Sequence, residues 1–192
     1  MSKRSNIRIN PNGDSPRIHP SAYIDPAAQV IGNVRIEENV FVGPLAVIRA
    51  DELGDDGRVQ PIIVRPEVSI QDGVVIHCRG GSTVEIGAHS TIAHGTMIHG
   101  PCSIGKGCFL ALRTVIYSAT LESEVWVGIG SVIMRTTVPS HLMIPAGSVI
   151  SSQADVSNFR VTNYKEQQYQ QSIWKANRYL KAGYMELLHR EG

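Results

Sequence analysis

An aliphatic residue returns every sixth position through most of this chain, and that period leaves little choice of fold. Ile18, Ile24, Val30, Ile36, Val42 and Ile48 form the first run. The phase resumes at Val64, Ile70 and Ile76, and again at Ile86, Ile92, Ile98, Ile104, Leu110 and Ile116. After one slip come Val127 and Ile133, then Ile144 and Ile150. A period of six matches neither a helix, at about 3.6, nor plain strand alternation, at about 2. It describes a short strand, a corner and another short strand. Three such units close one triangular coil, and stacked coils lie about 4.8 Å apart. The anchors then point inward as aliphatic columns. Glycines that follow them, as in Ile86-Gly87, Ile104-Gly105 and Val127-Gly128, suit the corners. The expected architecture is all-β, a parallel β-helix.

Two insertions break the phase, one over Ala50 to Gln60 and one around Arg79, Gly80 and Gly81. Loops thrown out of a rigid scaffold often line a site. After Ser151 the repeat stops. Asn163 followed by Glu166 reads as a capping box, and Tyr169, Ile173, Ala176, Leu180, Tyr184 and Leu187 recur at helical spacing. The expected organisation is an N-terminal arm over 1–15, a β-helix over 16–155, a connector over 156–162 and a helix over 163–190. Asn177 interrupts the helix's apolar face.

Lys and Arg total 18 against 17 Asp and Glu, a net charge of +1. That balance argues against a nucleic-acid partner or an anionic membrane. The polar stretch Met1 to Asp14 does not read as a signal peptide, and no apolar run would span a bilayer. Cys78, Cys102 and Cys108 make no disulfide framework. They read as free, partly buried thiols, and the expected location is cytoplasmic.

Seven histidines are present. His19, His89, His141 and His189 read as surface or turn residues. His77 and His99 each follow an anchor, Ile76 and Ile98, and those anchors are three steps apart, one full coil. The two imidazoles therefore stack on one face about 4.8 Å apart, close enough to share a tetrahedral metal at about 2.0–2.1 Å each. His94 lies one step back, on the adjacent face. One straight prism would struggle to gather all three, but two packed prisms would not. The register predicts a metal between subunits, with His77 and His99 from one chain and His94 from the next. A closed ring of three chains is the simplest symmetric solution. Arg49 falls below His77 in the same column, within reach of Asp51. Gln71 and Asp72 fall under Ala93 and His94, and Gln71 suits a hydrogen bond to a metal-bound hydroxide.

The segments Val47-Ile48-Arg49-Ala50-Asp51-Glu52, Ile70 through His77, and His94 through His99-Gly100-Pro101 resemble the γ-class carbonic anhydrases. The resemblance runs from about Ile18 to Ser152, and more weakly through Asn177 and Ala182-Gly183-Tyr184. It implies a left-handed β-helix with a C-terminal helix, assembled as a homotrimer. It implies His77, His94 and His99 as ligands of zinc, or of ferrous iron or cobalt. The implied chemistry is reversible hydration of CO2 to bicarbonate and a proton by a metal-bound hydroxide, a lyase reaction. Gln71 would lie near the metal, Arg49 and Asp51 would pair at the interface, Glu52 would accept a proton, and Asn177 would sit near bicarbonate. One departure stands out. Family members with a long acidic loop after the first histidine carry a proton-shuttling glutamate there. The short stretch Cys78 to Thr83 has no acid.

Two other classes compete. Hexapeptide β-helices often transfer acyl groups, using one histidine as general base; that chemistry gives no reason for three histidines in register. A catalytically weak metal-binding or scaffold trimer would keep the site without the turnover. A metal-dependent thioester hydrolase is a looser alternative.

Overall fold

The computed structural model describes residues 6–157 and 159–191, with side chains for all of these except Leu188, His189 and Glu191. Residues 1–5 of the expected arm and the expected surface position of the His189 side chain thus lie outside the described residues. Among the described residues, short strands stack into three all-parallel sheets of eight, seven and seven strands, the faces of a left-handed triangular prism. Each strand pairs with the strand three places on. On the first face, Gln29–Gly32, Val47–Ala50, Val75–Cys78, Met97–Gly100 and Val115–Tyr117 follow one another up the axis.

The anchors make the core. Val30, Ile48, Ile76, Ile98, Ile116, Ile133 and Ile150 form one fully buried column. Each such side chain contributes about 1.5–3 kcal/mol relative to its exposed state. Two residues before most anchors a second inward position is buried, filled by small or slim groups such as Ala46, Val74, Thr96 and Thr114. Its hydroxyls are satisfied between coils: Ser90 Oγ donates to the Gly105 carbonyl at 3.0 Å and accepts from the Cys108 N–H at 3.0 Å. Cys102 and Cys108 fill the same inward position, and all three cysteines are free and buried.

The slip after Ile116 has a simple cause. Leu121 and Val138 are buried anchors paired in register with the coil below, each arriving one residue short of the period. Their corners turn on Ser118 and Arg135, single residues at φ 49° and 52°. The prism also begins before the first anchor, because Ile7–Arg8 already pairs with Val30 and Ile31. Glycine serves where two coils come closest: a Cβ on Gly87 would lie 2.5 Å from the Gly105 carbonyl carbon.

After the last coil a short helix, Gln153–Val156, turns the chain. The long helix Tyr164–Glu191 follows, capped by Asn163. The Glu166 N–H donates to Asn163 Oδ1 at 3.2 Å and the Asn163 N–H donates to Glu166 Oε2 at 2.8 Å, the reciprocal pair of a capping box. The helix docks on its own chain, down the face that carries Tyr23, Phe41, Phe109 and Trp126. Tyr184 stacks on Tyr23 at 5.1 Å, and Tyr169 meets Phe109 and Trp126. The stripe read from the sequence is only partly the docked one, since Leu180 and Leu187 stay about half exposed. Trp174, Asn177, Lys181 and Tyr184, also at helical spacing, point at the sheet. Lys181 Nζ donates to Asn39 Oδ1 at 2.8 Å. Among the described residues no helix is long and apolar enough to cross a membrane.

Candidate metal centre

Parallel pairing fixes the first group of residues. Arg49, His77 and His99 are direct register partners on successive coils, all pointing outward because the residue before each is an inward anchor. The His77 and His99 rings lie 5.2 Å apart, edge to face at 71°. His77 Nε2 and His99 Nδ1 are buried with no hydrogen-bond partner. The His77 side chain is 12% exposed. Burial first, then the nearby Arg49 charge, pull its pKa below the usual histidine value.

Carboxylates flank the pair. Arg49 Nη1 donates to both carboxylate oxygens of Asp51, at 3.0 and 2.9 Å. Asp51 Oδ1 lies 3.6 Å and Glu52 Oε1 3.3 Å from His77 Nε2. Glu52 Oε2 accepts the Gly80 N–H at 3.1 Å.

A second group lies on a different edge of the prism. Ile70 pairs with Ile92, so the residues that follow them stack as well. Asp72 Oδ2 lies 3.4 Å from His94 Nδ1, and the His94 side chain is half exposed. Gln71 is 7% exposed, and its Nε2 donates to Ser69 Oγ at 2.6 Å. Ser69 also lines a narrow cleft under the long helix with Phe41, Trp174 and Asn177. Asn177 Nδ2 and Trp174 Nε1 are buried without hydrogen-bond partners.

The structure therefore gathers Arg49, Asp51, Glu52, His77 and His99 in one cluster. Gln71 and His94 share a second edge, with Asn177 facing Ser69 from the helix. It does not bring His94 to the histidine pair. Among the described residues, no group of three or more His, Cys, Asp or Glu side chains within the single chain is arranged to hold a metal ion. His89 and His141 sit at corners with φ of 61° and 65°, and His19 Nδ1 bonds Ser21 Oγ at 2.9 Å.

Three contacts escaped the sequence reading. Tyr117 stacks on His99 at 5.5 Å, with the Arg135 guanidinium 5.7 Å from its ring centre. Tyr117 follows anchor Ile116, so the histidine rule would have found it. Ser69 precedes anchor Ile70 and was equally readable as outward. The Gly80 contact was not, because it joins two insertions that stand outside the repeat.

The comparisons with known proteins bear on the fold and the family. A family model described as bacterial transferase hexapeptide (six repeats) matches residues 15–50. The chain is 32% identical to a carbonic anhydrase of Methanosarcina thermophila, over 95% of this chain and 82% of that protein. It is 28% identical to the carboxysome assembly protein CcmM of a Nostoc species, over 88% of this chain but 31% of that much longer protein. Among solved structures, a hexapeptide transferase family protein from Anaplasma phagocytophilum superposes with a TM-score of 0.72. It is 24% identical, over 95% of this chain and 99% of that one, and its likeness is one of fold. Matched to a carbonic anhydrase at that identity along nearly its whole length, this chain belongs to the γ-class carbonic anhydrases, a family of hexapeptide-repeat proteins.

Proposed function

We propose that this protein hydrates CO2 reversibly to bicarbonate and a proton, with a zinc, ferrous or cobalt ion held between the subunits of a homotrimer. The observation that carries the reading is the in-register His77–His99 pair, each ring with a buried nitrogen that has no hydrogen-bond partner. His94 stands on another edge, as the third ligand to a neighbouring chain's pair. The donor set fits such an ion, because metal binding requires neutral imidazole and the His77 environment favours that form. When bound by three histidines, the metal supplies hydroxide from water near neutral pH, as is known for the zinc centres of carbonic anhydrases.

The chain's own residues do the rest. Gln71, its Nε2–H committed to Ser69, orients the attacking water through its carbonyl oxygen. Glu52 accepts the proton. Asn177 offers its buried, unpartnered Nδ2–H to bicarbonate. The Arg49–Asp51 pair stiffens the seam between subunits. The edge that carries His94 supports an interface there. Asp72, His94 and Leu112 follow one another along it, their carbonyls accepting the N–H groups of Gly95, Arg113 and Gly130 on the next coil, and Leu112 and Ile129 are exposed apolar side chains.

A second reading, a metal-binding trimer without turnover, is favoured by the absence of any acid in the Cys78–Thr83 loop. Stopped-flow CO2 hydration separates the two. Protein purified without air and loaded with zinc or iron is assayed beside His94→Ala. Metal-dependent hydration lost in the variant is the expected result. No hydration with either metal at high buffer concentration would leave the silent trimer.

A further inference from the structure

The two insertions leave the prism on neighbouring coils and meet through glycine. A Cβ on Gly80 would lie 2.0 Å from the Leu53 carbonyl oxygen, and one on Gly54 would lie 2.7 Å from Gly81 Cα. Neither Gly54 nor Gly80 has a positive φ. Close approach of two backbones, and not local conformation, therefore selects glycine at both positions. Within that contact the Gly80 N–H donates to Glu52 Oε2 at 3.1 Å, while Glu52 Oε1 reaches to 3.3 Å from His77 Nε2. One carboxylate thus spans from the loop backbone to the imidazole. The Glu52 side chain is 47% exposed. Unheld, a glutamate that open to solvent would sample several rotamers, and the hydrogen bond from the Gly80 N–H favours the one that faces His77.

We infer that the short loop Cys78–Thr83 is a positioning element: the Gly80 backbone amide clamps the Glu52 carboxylate beside the histidine pair. The inference rests on the reading of Glu52 as proton acceptor. It gives the loop a task that needs no acid of its own. The loop holds the group that takes the proton, and Gly80 is a positioning residue.

The test uses the full chain and begins without metal. Amide hydrogen exchange is measured at Gly80 in the wild type, in Glu52→Gln and in Glu52→Ala. Glutamine keeps an acceptor oxygen at the same reach, so near wild-type exchange is expected there. Glu52→Ala removes the acceptor, and exchange at least about ten-fold faster is expected. Equal exchange in the wild type and Glu52→Ala would overturn the clamp.

Gly80→Ala then tests its purpose. Displacing the loop by the clash with Leu53 should lower kcat about 10- to 100-fold, the scale on which a small misplacement of a catalytic group acts. The kcat/KM and the affinity for Co2+ should stay within about two-fold, and added imidazole should restore kcat by accepting the proton at the site and carrying it into solution. Unchanged kcat in Gly80→Ala would overturn the positioning role. Should the wild type fail to hydrate CO2 at all, the functional reading falls, and the exchange comparison still decides whether the clamp exists.

Discussion

Consider two variants, His77→Ala and His94→Ala, each lacking one half of the proposed metal site. His77 and His99 share one face, and His94 lies on another edge. In a closed ring each site then takes its histidine pair from one chain and its third histidine from the next. Alone, either variant lacks a ligand at every site. Mixed one to one and reassembled at random, they behave differently. A site is whole when its pair comes from a His94→Ala chain and its third histidine from a His77→Ala chain. Each condition is met half the time, so about one quarter of the sites recover. The converse mixture is as informative. When wild type is reassembled with an equal amount of the double variant His77→Ala/His94→Ala, about one quarter of all sites in the mixture should again be whole, against one half if each chain carried its own site. The assay is Co2+ bound per chain, read from visible absorbance, with CO2 hydration alongside. Reassembly from dilute denaturant ensures exchange, and a mixture of pre-formed trimers serves as the unexchanged control. No recovery in the first mixture, with one half retained in the second, would refute the division of the site between chains.

Three further outcomes are expected. Ile76→Ala should cost about 3–4 kcal/mol, from about 0.8 kcal/mol for each lost methylene-sized group plus a cavity that cannot collapse, since Ile76 is fully buried between Ile48 and Ile98. Denaturant unfolding at fixed protein concentration measures it, with the exposed Val149→Ala as a control near zero, and a loss below about 1 kcal/mol contradicts the packing argument. Burial pushes the Cys78 thiol up to about 11 and Cys108 to about 12, so the native protein should resist a disulfide reagent near pH 8 and react in guanidinium; prompt native labelling would disprove it. The Arg160 guanidinium beside Glu166 holds its carboxyl below the usual range, so this pair stabilises the folded chain above the ordinary glutamate pKa and loses that effect as pH falls through the depressed one. Glu166→Gln should flatten the acid limb of the melting temperature, and an unaltered limb would assign it to other groups.

The prism was legible because each anchor does one job that only an aliphatic side chain does, filling a column of fixed width. Leu121 and Val138 escaped because Ser118 and Arg135 turn their corners in fewer residues, and a fixed period cannot see a shortened corner. The helix was legible through its cap, yet its docked face only in part, through Tyr169 and Tyr184. That face includes Asn177 and Lys181, which find the sheet's polar groups or its narrow cleft, and an apolar stripe is blind to such contacts. The Glu52–Gly80 contact obeys no period at all, since both partners belong to insertions. The site itself follows from the repeat more closely than its chemistry suggests. A side chain three steps on returns to the same face, which sets His99 above His77. A side chain at any smaller interval lands on another edge, and His94 precedes His99 by less than one step. The rule that unites the first pair therefore excludes the third histidine, and a strict prism would complete the proposed ligand set only with another chain.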